Sequence, residues 1–294
     1  MTNSRPIIDV AAIDAAVARL SKQRPAYAAI LGFYGPVYRA QLEAAAKTSP
    51  PAMCIDESHL DMQFNQDFSL IDPAAFPMDL PAAGKLLRII CRIAVSSGEK
   101  LKDAGLALLK AMDDGVVADG SLDQYLLKDA QIASLALELG VCADMLGLFF
   151  QLAARPSVEK SARQLADRLA DDQTDKSSCP ICGKPPLIGE LDDEGRQWLH
   201  CGLCGHRWPV RRMACPLCSN SDSENLSYFF SDAEPEYRVN LCGQCRHYLK
   251  VVDVRKMDRC FYAPLEQAAS LHLDMLAAEK GYHHLMEADP PTTA

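Results

Sequence analysis

Four Cys-x-x-Cys pairs lie within 67 residues of this 294-residue chain: Cys179/Cys182 in CPIC, Cys201/Cys204 in CGLC, Cys215/Cys218 in CPLC and Cys242/Cys245 in CGQC. They use eight of its twelve cysteines. Such a turn, often followed by glycine, folds the backbone tightly enough for both thiolates to face one ion. Two turns together make a tetrahedral four-thiolate site, so four turns imply two metals. Four protein thiolates leave no open position for substrate, which makes these sites structural in expectation.

The lengths between the turns say which pairs share an ion. Between Cys182 and Cys201, 18 residues read as strand, polar turn (Asp192, Asp193, Glu194, Gly195) and strand. That hairpin returns the second pair to the first. Between Cys218 and Cys242, 23 residues repeat the plan: polar SNSDSEN, apolar LSYFF, a turn with Pro235, then EYRVNL. The third pair thus joins the fourth. HRWPVRRMA, within the ten residues from Cys204 to Cys215, reads as one extended link.

Disulfides and thioredoxin-like redox pairs use the same residue type. The amino terminus, MTNSRPIIDV, lacks a charged lead and apolar core, and the other cysteines stand alone; both point to a reducing cytoplasm and against disulfides. No pair stands between an apolar strand and a long helix, as thioredoxin-like chemistry would require. Zinc and iron accept the same sulfur cage, so spacing leaves the metal open.

The preceding 170 residues supply helices. Asp9 caps an amphipathic helix through Ile13, Val17 and Leu20, ended by Arg24-Pro25. A second runs from Ala26 toward Lys47, interrupted at Gly32, Gly35 and Pro36, its apolar face made of Tyr27, Ile30, Leu31, Tyr38 and Leu42. Residues 48–80 are irregular and proline-rich; Cys54, His59, Asp61 and Asp67 there read as incidental. Leu86, Leu87, Ile89, Ile90, Ile93 and Ala94 describe a helix apolar around much of its circumference, and Glu99–Met112 the next. Ser121 caps a helix to Leu139, VCADMLGLFFQLAA makes another, Arg155-Pro156 breaks it, and a last one spans Ser157–Leu169. Cys91 and Cys142 read as core thiols. The polar run 170–178 reads as a linker. After the cysteines, Pro264 opens one closing helix that Gly281 terminates. Histidines 200, 206, 247, 272, 283 and 284 read as ordinary structural residues, since each site already has four thiolates.

The expectation is an α+β multidomain chain. It comprises an α-helical bundle (1–170), two rubredoxin-like or zinc-ribbon four-cysteine modules (179–213 and 214–260) and a carboxyl-terminal helix (261–287).

Charge narrows the function. The chain carries a net charge of −9, and residues 177–294 hold 12 Lys and Arg against 16 Asp and Glu. Each four-thiolate site with a divalent ion adds about two further negative charges. Nucleic-acid binding therefore lacks its positive footprint; His206, Arg207, Arg211 and Arg212 form the one basic concentration, and an extended segment would split them between two faces. No apolar run reaches the roughly 18 to 20 residues of a membrane helix. The twin arginines are internal and form no export signal. No nucleotide loop, hydrolytic triad or carboxylate pair points to an enzyme.

HCGLCGHRWPVRRMACPLC, NLCGQCRHYLKVVD and ASLHLDMLAAEKGY together resemble the family of the formate dehydrogenase accessory protein FdhE. The resemblance covers roughly residues 179 to 282 and includes Trp208, Tyr248-Leu249-Lys250, Leu273-Asp274 and Gly281-Tyr282; the first half agrees in length and helical character only. It implies paired rubredoxin-like folds holding two iron ions, with zinc the alternative, one per four-cysteine site. It also implies a cytoplasmic, non-catalytic maturation factor that binds the catalytic subunit of respiratory formate dehydrogenase. The alternatives are a rubredoxin-like redox protein of the same pathway and, last, a zinc-ribbon nucleic-acid binder.

Overall fold

The computed structural model describes residues 8–53, 69–166, 169 and 176–284. Cys54, His59, Asp61 and Asp67, and residues 170–175 of the linker, lie outside the described residues. The chain divides into two compact units, one within Met1–Ile55 and Asp72–Gln164, the other within Asp56–Ile71 and Leu165–Ala294.

The first unit is helical. Asp9 accepts the Ala12 amide at 2.8 Å and starts α1 (Val10–Gln23), which buries Ile13, Ala16 and Leu20. α2 (Ala28–Ala45) buries Leu31, Phe33, Val37 and Tyr38. Asp79 and Pro81 open α3 (Leu80–Val95), whose Leu86, Leu87, Ile90, Cys91 and Ala94 face inward. At Gly105 of α4 (Glu99–Asp113), a Cβ would come within 2.8 Å of the Cys91 carbonyl oxygen, so α3 and α4 meet backbone to backbone. α5 (Asp129–Leu139) ends on left-handed Gly140, and α6 spans Ala143–Ala166.

Packing overrides several local signals. Pro36 and Pro156 interrupt nothing: α2 and α6 run through them. A helix-interior proline costs about 3 kcal/mol. Buried Phe149, Phe150, Ala153, Ala154, Ser157 and Val158 flank Pro156, and helical stability comes mostly from such burial. Residues 119–124 form a 3-10 turn, and Leu127 takes φ +61°, so the helix begins at Asp129 rather than after Ser121. The α3 stripe is narrower than its composition implies, leaving Ile89 42% exposed. Cys91 is a core thiol; Cys142 is exposed.

Among the described residues the second unit is built on one seven-stranded sheet, in the order β3 (Arg207–Val210), β2 (Gln197–Cys201), β1 (Pro186–Leu191), β6 (His247–Asp253), β5 (Tyr237–Cys242) and β4 (Leu226–Phe230), with β7 (His283–His284) also on β6. β1, β2 and β3 form one antiparallel ribbon; β4, β5 and β6 form the other. HRWPVRRMA is thus partly a strand of the first ribbon. The ribbons merge where β1 runs parallel to β6, Gly189 against Val251 through Leu191 against Asp253. A Cβ at Gly189 would lie 3.0 Å from the Val251 methyl, which explains the missing side chain in a buried strand.

Two helices, α7 (Ala263–Ala269) and α8 (Leu271–Glu279), replace the single closing helix. The chain breaks at Ser270, whose hydroxyl donates to the Glu266 carbonyl at 2.7 Å. Ala263, Leu273 and Ala277 join Ile188, Tyr237, Val239, Leu241, Tyr248 and Val252 in one core. Buried charges tie these helices down: Arg259 donates to Glu266 at 2.7 Å and to Glu236 at 3.2 Å, and Lys250 to Asp274 at 2.7 Å.

Candidate metal centres

The chain returns on itself at each Cys-x-x-Cys. In the first two turns the amide after the second cysteine donates to the carbonyl of the first: Gly183 to Cys179 at 2.8 Å and Gly205 to Cys201 at 3.2 Å. Ser219 to Cys215 and Arg246 to Cys242, both 2.9 Å, repeat the bond. It requires a left-handed residue, and φ is +71° and +67° at the glycines, +58° at Ser219 and +60° at Arg246. Glycine adopts that conformation without strain; a side chain costs roughly 1–2 kcal/mol there.

The hairpins then bring the turns together. Cys179, Cys182, Cys201 and Cys204 form one cluster and Cys215, Cys218, Cys242 and Cys245 the other, with all four sulfurs of each within 4.8 Å of one another. The shortest separations are 3.5 Å for Cys179–Cys204 and Cys182–Cys201, and 3.7 Å for Cys215–Cys245 and Cys218–Cys242. A disulfide would need about 2.05 Å. Four metal–sulfur bonds of ~2.3 Å in a tetrahedron put sulfurs ~3.8 Å apart. The donor set and its spacing therefore fit one tetrahedral metal ion per cluster.

Proton sharing among the sulfurs prepares each cluster for a cation. Cys201 is held well below the usual thiol range by hydrogen bonds from Cys179, Cys182 and Cys204. Cys179 is pushed up, first by burial, and Cys204, first by its bond to Cys179. In the second cluster burial opposes ionisation of Cys242, but the Cys245 amide and thiol outweigh it and bring the group to about 7. Cys215 is pushed up by burial to about 11. A metal ion displaces such protons, so binding strengthens with pH.

The surroundings differ. All four cysteines of the first cluster are buried, whereas Cys218 and Cys245 are half-buried. Ser69–Ile71 back the first cluster: the Leu70 amide donates to the Pro180 carbonyl at 3.1 Å and that of Ile71 to Ile181 at 2.9 Å. Sequence reasoning missed this support, since nothing in the irregular stretch announces it. It also missed the Asn220 amide, 3.8 Å from the Cys242 sulfur, and Arg246, stacked over Tyr282 at 4.3 Å while donating to the Gly281 carbonyl at 3.2 Å. The residue after each Cys-x-x-Cys was a readable signal for Ser219 and Arg246.

The histidines find other partners. His200 meets Glu190 at 2.6 Å, His247 the Cys245 carbonyl at 2.8 Å and His272 Glu234 at 2.8 Å; burial lowers His206 to about 4. His206 and Arg207 are half-buried, Arg207 lying 4.4 Å over Trp198, while Arg211 and Arg212 are exposed.

Residues 178–212 match the model of the FdhE central domain. A protein FdhE homolog of Aquifex aeolicus is 31% identical over 163 residues, covering 53% of this chain and 56% of that protein. One from Haemophilus ducreyi is 33% identical over 126 residues, 41% of this chain and 40% of its own length. This chain is similar to the FdhE proteins over these stretches. It spans about half the length, or less, of these curated FdhE homologs. The crystal structure of the FdhE protein from Pseudomonas aeruginosa has the same fold, with a TM-score of 0.66, 20% identity and 95% of each chain covered. The FdhE resemblance legible in the cysteine region thus extends, as fold, to the helical half. No helix among the described residues is long and apolar enough to cross a membrane.

Proposed function

We propose that this chain is an accessory factor for respiratory formate dehydrogenase: it binds the catalytic subunit in the cytoplasm and is needed for that enzyme's activity, without catalysing a reaction itself. The observation that carries this reading is the kinship with FdhE proteins, seen in the 163-residue alignment and again in the fold across 95% of the chain. The formate dehydrogenase link comes from the family resemblance of the cysteine region. The eight cysteines hold two ions, iron by that resemblance and zinc as the alternative, and the ions supply folding free energy to ribbons too small to bury a core alone. Cys179, Cys182, Cys201 and Cys204 would hold one, Cys215, Cys218, Cys242 and Cys245 the other. Rigid ribbons then present a fixed surface to the partner.

Two measurements test this. A tagged chain, expressed with its native formate dehydrogenase, should co-purify the catalytic subunit, and deleting the chain should abolish formate oxidation while leaving that subunit synthesised. Absence of enrichment together with undiminished formate oxidation overturns the reading. Elemental analysis should return two metal equivalents, with the absorption of ferric tetrathiolate if iron is the ion; a metal-free folded protein would refute the metal assignment.

A further inference from the structure

We propose that the outer edge of β4 and the arginine-bearing cleft beside it dock an extended, acidic peptide segment of another protein, which adds to the sheet as a further strand. Which protein supplies the segment does not enter.

The two edges of the sheet are built differently. β3 is blunted by Pro209, which has no amide to donate, and carries the buried Trp208. β4 has neither proline nor charge, pairs with β5 in unbroken register from Leu226–Cys242 to Phe230–Arg238, and no strand among the described residues takes its outer side. Tyr228 is 61% and Phe230 56% exposed. An uncovered edge strand bearing exposed aromatics is an aggregation hazard that soluble proteins avoid unless the edge is used.

The chemistry of the occupant follows from the face beside that edge. Strand alternation puts Tyr228 and Phe230 with Arg238 and Asn240, opposite the face bearing Val239 and Leu241 on which α7 and α8 pack. There a cleft of about 590 Å³ opens, with Met213, 73% exposed, on its rim. Its charged lining is four cations, Arg212, Arg238, Arg255 and Lys256, against two carboxylates and two cysteines of the second cluster, Cys215 and Cys242. Asp253 accepts from Arg255 at 2.7 Å, which pairs off that cation too, and Glu236 accepts from Arg259 at 3.2 Å, which leaves Arg212, Arg238 and Lys256 facing the cleft. Arg238 makes no ion pair among the described residues, and its Nε is buried without a hydrogen-bond partner. Its guanidinium leans across to β4, 6.0 Å from the Tyr228 ring centre. Arg238, unpaired beside an open edge and with Arg212 and Lys256 on the same cleft, selects a carboxylate. A strand added to β4 would place alternate side chains over Tyr228 and Phe230, within reach of Arg238, while its backbone pairs with the edge.

The test uses the metal-loaded full chain and two fluorescein-labelled decapeptides, one alternating valine with glutamate, the other valine with lysine, read by fluorescence anisotropy. The acidic peptide should bind saturably and more weakly as salt rises, the lysine peptide at least tenfold less well. Arg238→Gln and, independently, Tyr228→Ser should each weaken acidic binding tenfold or more at unchanged metal content and circular dichroism. N-methylation of alternate amides on the peptide's pairing edge should abolish binding to the unaltered protein. Equal binding of both peptides, no saturable binding, indifference to both substitutions, or full binding of the N-methylated peptide each overturns the proposal. So does a dimer in light scattering that Tyr228→Ser dissociates, since a second copy would then own the edge.

Discussion

The two four-cysteine clusters share a plan and differ in their insulation. In the first, glycine fills both left-handed positions, all four sulfurs are buried and Ser69–Ile71 brace the turn from outside. In the second, Ser219 and Arg246 hold the same backbone conformation against its steric cost, two cysteines are half-buried, and Cys215 and Cys242 line the cleft beside β4. Identical chemistry thus serves two ends. The first cluster is a fastening within the unit, while the second lies at a surface and holds Arg246 against the carboxyl-terminal end of α8.

Removing a ligand should separate the clusters most. A structural four-thiolate site carries ~10–16 kcal/mol of binding free energy, much of which is lost with one thiolate. Cys204→Ala should leave the sheet unfolded at ambient temperature, while Cys218→Ala should lose one metal equivalent yet keep β1–β3 protected in hydrogen exchange. Equal damage from both would erase the distinction.

The second ribbon alone buries a lysine among the described strands, and that sets a pH dependence. Burial lowers Lys250 to about 8, against the favourable charge of Asp274. Between pH 8 and the ordinary lysine range near 10.5, the unfolded chain binds a proton that the folded chain does not, so stability rises with pH there; below 8 the penalty is fully present. Denaturant titrations should show this rise, at most about 3 kcal/mol, and Lys250→Met should flatten it. A slope unchanged by the substitution would assign it to other groups.

Metal loss should be sequential. Under excess chelator the second cluster should release its ion roughly tenfold faster, a difference of ~1.4 kcal/mol in local opening. Stopped-flow release in one phase of two equivalents would argue that the clusters are equally accessible. The smallest effects belong to the turns. Gly183→Ala should cost about 1–2 kcal/mol, because φ is +71° and the Ser69 hydroxyl lies 3.1 Å from the new methyl, whereas Ser219→Gly should be neutral or gain up to about 1 kcal/mol. Thermal unfolding of the pair reads both signs.

Local pattern was sufficient for the cysteine turns, for the hairpins that return Cys201/Cys204 to Cys179/Cys182 and Cys242/Cys245 to Cys215/Cys218, and for the capped start of α1 at Asp9, because spacing and turn chemistry act over a few residues. It was misleading at Pro36, Pro156 and Ser270. At the two prolines packing kept the helix going, and at Ser270 a side-chain bond to the Glu266 carbonyl marks the break.

By itself the sequence determined which sulfurs could meet, since each ligand set is closed by a hairpin written in consecutive residues. Only the tertiary structure decided that the two ribbons share one sheet through β1 and β6, that Ser69–Ile71 brace the first cluster, and that β4 is left as the open edge. Those contacts join segments dozens of residues apart, and their free energy comes from burial and backbone pairing that no single segment can show alone.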